Sequence, residues 1–110
     1  MESNVIAKWE TQMKKGTLDF IILLLLKKKD QYGYELLEQI KLASGYDISE
    51  GTIYPLLNRL KDDRFIESKW VEMETGMPRK YYSITNSGQT SLEKMTAFWA
   101  TLSANLENLI

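Results

Sequence analysis

Residues 49–63 read SEGTIYPLLNRLKDD, and the rest of the chain is arranged around this stretch. Ile53, Leu56, Leu57 and Leu60 recur at helical spacing and form one continuous apolar stripe. Ser49 is placed to cap the helix, with Glu50 in the first turn, where a negative charge suits the helix dipole. The opposite face carries Gly51, Pro55 and Asn58, flanked by Thr52, Tyr54, Arg59 and Lys61. Small, hydroxyl, amide and cationic side chains together are what a helix needs to lie in a DNA groove. An ordinary amphipathic surface helix would show the same apolar stripe. Pro55 breaks the pattern: well past the first turn, it removes a backbone hydrogen bond. Either the helix bends there, or it begins only at Thr52.

The composition narrows the function. The 110-residue chain is 44% hydrophobic with a net charge of −1, which suits one small domain with a modest core. It has neither cysteine nor histidine. Disulfides and thiolate chemistry are thereby removed, a zinc site would have to be all carboxylate, and the commonest general base at neutral pH is missing. With no nucleophile–base pair and no glycine-rich phosphate loop, no enzymatic activity, catalytic residue, metal site or cofactor is expected. A charge near zero argues against indiscriminate binding to nucleic acid but allows a local basic footprint. Residues 1–4 lack the layout of a signal peptide and are expected to fray. A chain without cysteine fits a reducing cytoplasm, the expected location.

Upstream of the quoted stretch, residues 32–44 form a second helix. Asp30 opens it, Gly45 closes it, and Leu36, Leu37, Ile40 and Ala43 face inward. The short connection over residues 46–48 makes the pair a helix-turn-helix, whose second member reads the groove. A first helix is expected from residue 5 or 9 to residue 28, with an interruption near Gly16. Its run FIILLLL, residues 20–26, is apolar on every side. It is far short of the roughly 20 residues a bilayer requires, so it is expected to be enclosed by protein as the hydrophobic centre. No membrane association is expected. Lys27, Lys28 and Lys29 complement the helix C-terminus.

Downstream, residues 65–72 and 80–85 are rich in β-formers and flank a turn-prone tip, METGMP. A helix-turn-helix followed by a hairpin is a winged helix, with Arg79 and Lys80 placed to reach the phosphate backbone. A last helix follows from residue 86 to about 109. Leu92, Met95, Trp99, Leu102, Leu106 and Leu109 alternate steps of three and four along it. The seam is too short for an independent coiled coil, so a second copy of the chain is its expected partner. Folding back onto its own core is the alternative.

The order of elements and the residues within them resemble the PadR family of transcriptional regulators, in its short form with a single C-terminal helix. The matching residues are GTLD at 16–19, YGYEL at 32–36, SEGTIYPLL at 49–57, RKYYSIT at 79–85 and NSG at 86–88. The resemblance implies a mainly α fold with a small β-hairpin. Residues 1–85 would form a winged helix-turn-helix DNA-binding domain and residues 86–110 a dimerisation helix, with the N-terminal half of the first helix joining that interface. It also implies a homodimeric repressor on a pseudo-palindromic operator, released by a small aromatic or hydrophobic effector. Carried over by motif, Tyr34, Ser49, Thr52, Tyr54, Pro55 and Asn58 become DNA contacts, as do Arg79 and Lys80 in the wing. Arg59 joins them from its place beside that face.

Two departures stand out. Arg64 occupies a position where the family usually has glycine, so it must either take a left-handed conformation, at about 1 kcal/mol, or reshape the turn. Glu72 and Glu74 make the wing tip poor in cations, which keeps a second reading open: a winged-helix protein-interaction module that does not bind DNA. Trp99 is large for a coiled-coil seam. If the seam crosses its mate near the middle, Trp99 with Phe98, Met95, Trp9 and Met13 would wall an apolar slot for a planar hydrophobic effector.

Overall fold

The apolar run lies in the C-terminal part of α1 (Glu2–Lys28), a continuous helix. The computed structural model describes residues 2–110, so residue 1 lies outside the described residues. Neither the fraying expected over residues 2–4 nor the break expected at Gly16 is found: the helix begins at Glu2 and passes Gly16 intact. A single mid-helix glycine costs about 1 kcal/mol, and the buried C-terminal half outweighs it. Ile22, Leu23, Leu25 and Leu26 are buried, whereas Leu24 is 36% exposed and Phe20 and Ile21 are only partly covered. The run is therefore the centre of the core, but it is not enclosed on every side.

After α1 comes β1 (Gln31–Tyr32), a strand too short to leave any periodicity in the sequence. Gln31 is buried and donates from Nε2 to the Leu25 carbonyl at 3.2 Å. Tyr32, not Asp30, then caps α2 (Gly33–Ser44), and the Glu35 carboxylate accepts the Tyr32 N–H at 3.3 Å. Leu36 and Ile40 are buried, but Ala43 is exposed beside a hollow bounded by Leu24, Lys27 and Lys28. Gly45 ends α2 at φ 79°.

The helix α3 (Glu50–Asp62) buries Ile53, Leu57 and Leu60 and part of Leu56. It starts at Glu50, since the N–H groups of both Thr52 and Ile53 donate to the Ser49 carbonyl at 3.0 Å. Pro55 sits inside it and deprives the Gly51 carbonyl of its usual donor. Gly51 is exposed, so water can supply one. At the far end Arg64 adopts φ 64°, the left-handed conformation that a glycine would take without strain.

Two longer strands, β2 (Ile66–Val71) and β3 (Arg79–Ile84), form the wing. The antiparallel sheet has order β1-β3-β2, with Ile66 opposite Ile84 and Trp70 opposite Lys80. Thr85 then ties three elements together. Its Oγ1 donates to the Arg64 carbonyl at 2.7 Å and accepts the Gly88 N–H at 3.0 Å, capping α4 (Asn86–Glu107). At Gly88 a Cβ would collide with the Phe65 carbonyl, so only glycine fits.

The α4 seam divides. Leu92 is buried in the common core and Met95 packs against it, because the first turns of α4 lie on α1. Leu92 is therefore unavailable to a second copy, contrary to the expectation that it belongs to an intermolecular seam. Leu102, Leu106 and Leu109 remain 38%, 46% and 81% exposed. The result is a mainly α winged helix with a small antiparallel sheet and a long C-terminal helix.

Candidate nucleic-acid interface

Between α3 and the wing lies a cleft of about 460 Å³. From α3 it takes Tyr54 and Asn58, from the wing Trp70, Arg79, Lys80 and Tyr82, and from the base Tyr32 and Gly33. Helical spacing puts Tyr54 and Asn58 on one face of α3, one turn apart. Their separation from Ile53 and Leu57 by a single residue turns them away from the core, and both are exposed. Gly33 is the reason Tyr54 can lean so close to α2, since a Cβ there would sit 2.5 Å from the tyrosine Oη.

The wing cations are held in place by aromatic rings. The Arg79 guanidinium lies 4.5 Å from the Tyr32 ring centroid, and Tyr32 in turn meets Tyr81 edge-on at 5.4 Å. The Lys80 ammonium stands 5.7 Å from the Trp70 ring centroid. Such contacts orient a cation without neutralising it. Among the described residues no acidic side chain lines this cleft. Tyr82 is buried beneath it, and burial, aided by Tyr54, raises its phenol pKa above the ordinary value.

The remaining expected contacts lie around the cleft. Thr52 and Pro55 are exposed on α3, and Ser49 occupies the cap position with extended backbone. The Ser49 hydroxyl does not cap a backbone N–H; it meets the Thr52 hydroxyl at 3.3 Å. Tyr34 is 57% exposed on the first turn of α2, and a side-chain hydrogen bond to Glu38 raises its phenol pKa above the usual value. Arg59 has a second engagement. Its guanidinium is bound to Asp19 of α1 and so ties α3 to α1, while its side chain stays 57% exposed. Tyr32, Gly33, Trp70 and Tyr82 are cleft residues that sequence reasoning did not assign. Trp70 showed in the sequence only as one of the β-formers of the first wing strand.

A second, apolar groove of about 610 Å³ runs between α1 and α4. Trp9, Met13, Met95, Phe98 and Trp99, the residues expected to wall a slot, all line it, joined by Phe20. The Phe20 and Trp99 rings meet at 6.1 Å between centroids. Lys94 and Gln12 supply its polar edge. Among the described residues no acidic cluster could hold a metal ion, and no helix is long and apolar enough to cross a membrane.

Comparison with known proteins meets the same architecture. Residues 22–94 match the model of the transcriptional regulator PadR-like family. A PadR-like transcriptional regulator from Bacillus cereus superimposes with a TM-score of 0.82 at 38% identity, covering 89% of this chain and 95% of that one. A PadR-like transcription factor from Bacteroides fragilis gives 0.77 at 38% identity, over 94% and 99%. The negative transcriptional regulator PadR of Bacillus subtilis is 32% identical over 77 residues, 68% of this chain but only 42% of that protein. An uncharacterised protein of Lysinibacillus sphaericus is 38% identical over 88 residues, 78% of this chain and 81% of its own length.

Proposed function

The chain belongs to the PadR-like family of transcriptional regulators, and on that premise we propose that it is a cytoplasmic, homodimeric repressor binding a pseudo-palindromic operator. The observation that carries this reading is the α3–wing cleft. It combines an amide and a phenol on the reader helix with two ring-held cations on the wing, and among the described residues no carboxylate lines it. Asn58 suits bidentate recognition of adenine, and Tyr54 a base edge or phosphate. Arg79 and Lys80 supply phosphate grip beside the groove. Tyr34, Ser49, Thr52 and Pro55 frame the approach. Arg59, exposed beside them, is tied to Asp19 of α1.

The far half of α4 supports the dimer. Leu102, Leu106 and Leu109 form an apolar stripe 38%, 46% and 81% exposed, and a self-complementary contact would cover it twice. In this reading α4 from residue 99 onward is the dimerisation segment, and the winged helix ends inside α4, not at residue 85. The groove between α1 and α4 is the effector site, open to flat aromatic compounds that stack on Trp99 and Phe98. One side of α1 lines that groove through Phe20, while the adjacent Asp19 holds Arg59 of the reader. Effector binding therefore has a short route to α3.

Glu72 and Glu74 beside the wing tip, with Met77 82% exposed, favour one other reading, a protein-interaction module. Salt separates the two. Titration of labelled duplex with the protein should give affinities that fall steeply as salt rises. An interaction module would leave the duplex unbound even at low salt.

A further inference from the structure

The wing carries an exposed aromatic that phosphate grip does not use. Side chains alternate along a strand, so Ile66, Ser68 and Trp70 share one face of β2, opposite Ile84, Tyr82 and Lys80 of β3. This is the face that covers the core at its base, where Ile66 and Tyr82 are 2% and 3% exposed. Burial falls away along it, and Trp70 is 68% exposed, overhanging the cleft toward Tyr54 and Asn58. The indole lines the same cleft as Tyr54 and Asn58, so whatever fills the cleft meets it. Its surroundings say what that occupant is. Lys80 lies over the ring, Arg79 lines the same cleft, and the reader helix offers hydrogen-bonding groups across it. A protein partner covering Trp70 would have to bury the Lys80 ammonium that lies over its ring, and lysine is depleted from protein interfaces. A duplex backbone presents apolar deoxyribose faces between phosphates and satisfies indole and cations together.

We infer that Trp70 is an apolar DNA contact of the wing, packing on the deoxyribose of the strand that lies between wing and reader helix while Arg79 and Lys80 take the flanking phosphates. The inference rests on the DNA-binding reading above. It separates two kinds of wing residue. Cations contribute affinity that salt removes, whereas Trp70 contributes affinity that salt leaves alone.

The test measures binding of a random-sequence duplex at several salt concentrations, which needs no knowledge of the operator. Trp70→Ala should weaken binding about tenfold at every salt concentration, with the slope of log affinity against log salt unchanged. Trp70→Phe should recover most of that loss. Arg79→Ala, in contrast, should flatten the slope. If Trp70→Ala binds like the wild type, or if it flattens the slope as Arg79→Ala does, Trp70 is not an apolar contact. If the wild-type protein binds no duplex, the DNA-binding reading fails and takes this inference with it. Thermal unfolding of each variant guards against loss of fold, which the exposure of Trp70 makes a minor concern.

Discussion

Arg59 of α3 and Asp19 of α1 form an ion pair across 40 residues of sequence. The second oxygen of Asp19 is buried without a hydrogen-bond partner. Burial accordingly raises the Asp19 pKa above its ordinary value; Arg59 opposes the rise and Asp63 adds to it. Between the unfolded value of 3.8 and the raised folded value, the native state binds the extra proton. Stability therefore declines as pH climbs through that window, and the cost persists above it.

Arg59→Met removes the positive charge that opposes the rise. It should cost about 1 kcal/mol at neutral pH, since the pair is partly exposed, and little at about pH 3, below both the unfolded and the raised folded value, where Asp19 is protonated. Asp19→Asn should cost less than Arg59→Met at neutral pH, because no carboxylate is left buried. Urea unfolding at the two pH values measures both. Equal losses at both pH values in Arg59→Met would mean that Asp19 carries no buried charge.

The junction of α3, β2 and α4 makes opposite demands at two positions. Arg64 holds φ 64° without being glycine, so Arg64→Gly should be neutral to stabilising, by up to about 1 kcal/mol. Gly88 has no room for a methyl group against the Phe65 carbonyl, so Gly88→Ala should lower stability by about 1–3 kcal/mol. Denaturant midpoints decide both signs.

Most of this architecture was legible in the sequence, because long amphipathic elements announce themselves. The stripe of Ile53, Leu57 and Leu60 fixed α3 and, by contrast, its outward face. The left-handed turn at Arg64 was one of two outcomes that its position allowed. What escaped depends on contacts between distant residues. The strand at Gln31 and Tyr32 exists only through its pairing with β3. Arg59 sits beside Asn58 in the helical pattern, and nothing in that pattern shows its ion pair with Asp19, 40 residues away. Leu92 shares the seam's spacing, yet the packing of α4 on α1 buries it in its own chain. Trp70 looked like any strand aromatic until its register set it opposite Lys80, over the cleft.

The two halves of the α4 seam should respond differently to substitution. Leu92→Ala opens the core and should cost about 2–5 kcal/mol of folding stability. Leu102→Lys places a charge on an exposed position and should leave each chain folded while shifting the assembly to monomer. Sedimentation beside thermal unfolding distinguishes them. A wild-type chain that sediments as a monomer at micromolar concentration contradicts the dimer.

Groove occupancy should be visible in tryptophan emission, since Trp9 and Trp99 both line it. Planar hydrophobic dyes should quench the signal at micromolar levels, and Trp99→Ala should remove most of the response with the fold intact. Each lost aromatic stack corresponds to about 0.5–1.5 kcal/mol. Undiminished quenching in Trp99→Ala would place the site elsewhere.

A quantitative footprint on the DNA flanking the chain's own gene tests the central claim, sequence-specific reading by α3, most directly. The expected pattern is two protected half-sites whose centres lie about one helical turn, or a multiple of it, apart. Asn58→Ala should weaken that protection by about 1–3 kcal/mol while leaving affinity for random duplex nearly unchanged. Equal weakening on both DNAs, or no protection at any protein concentration in low salt, would contradict the account.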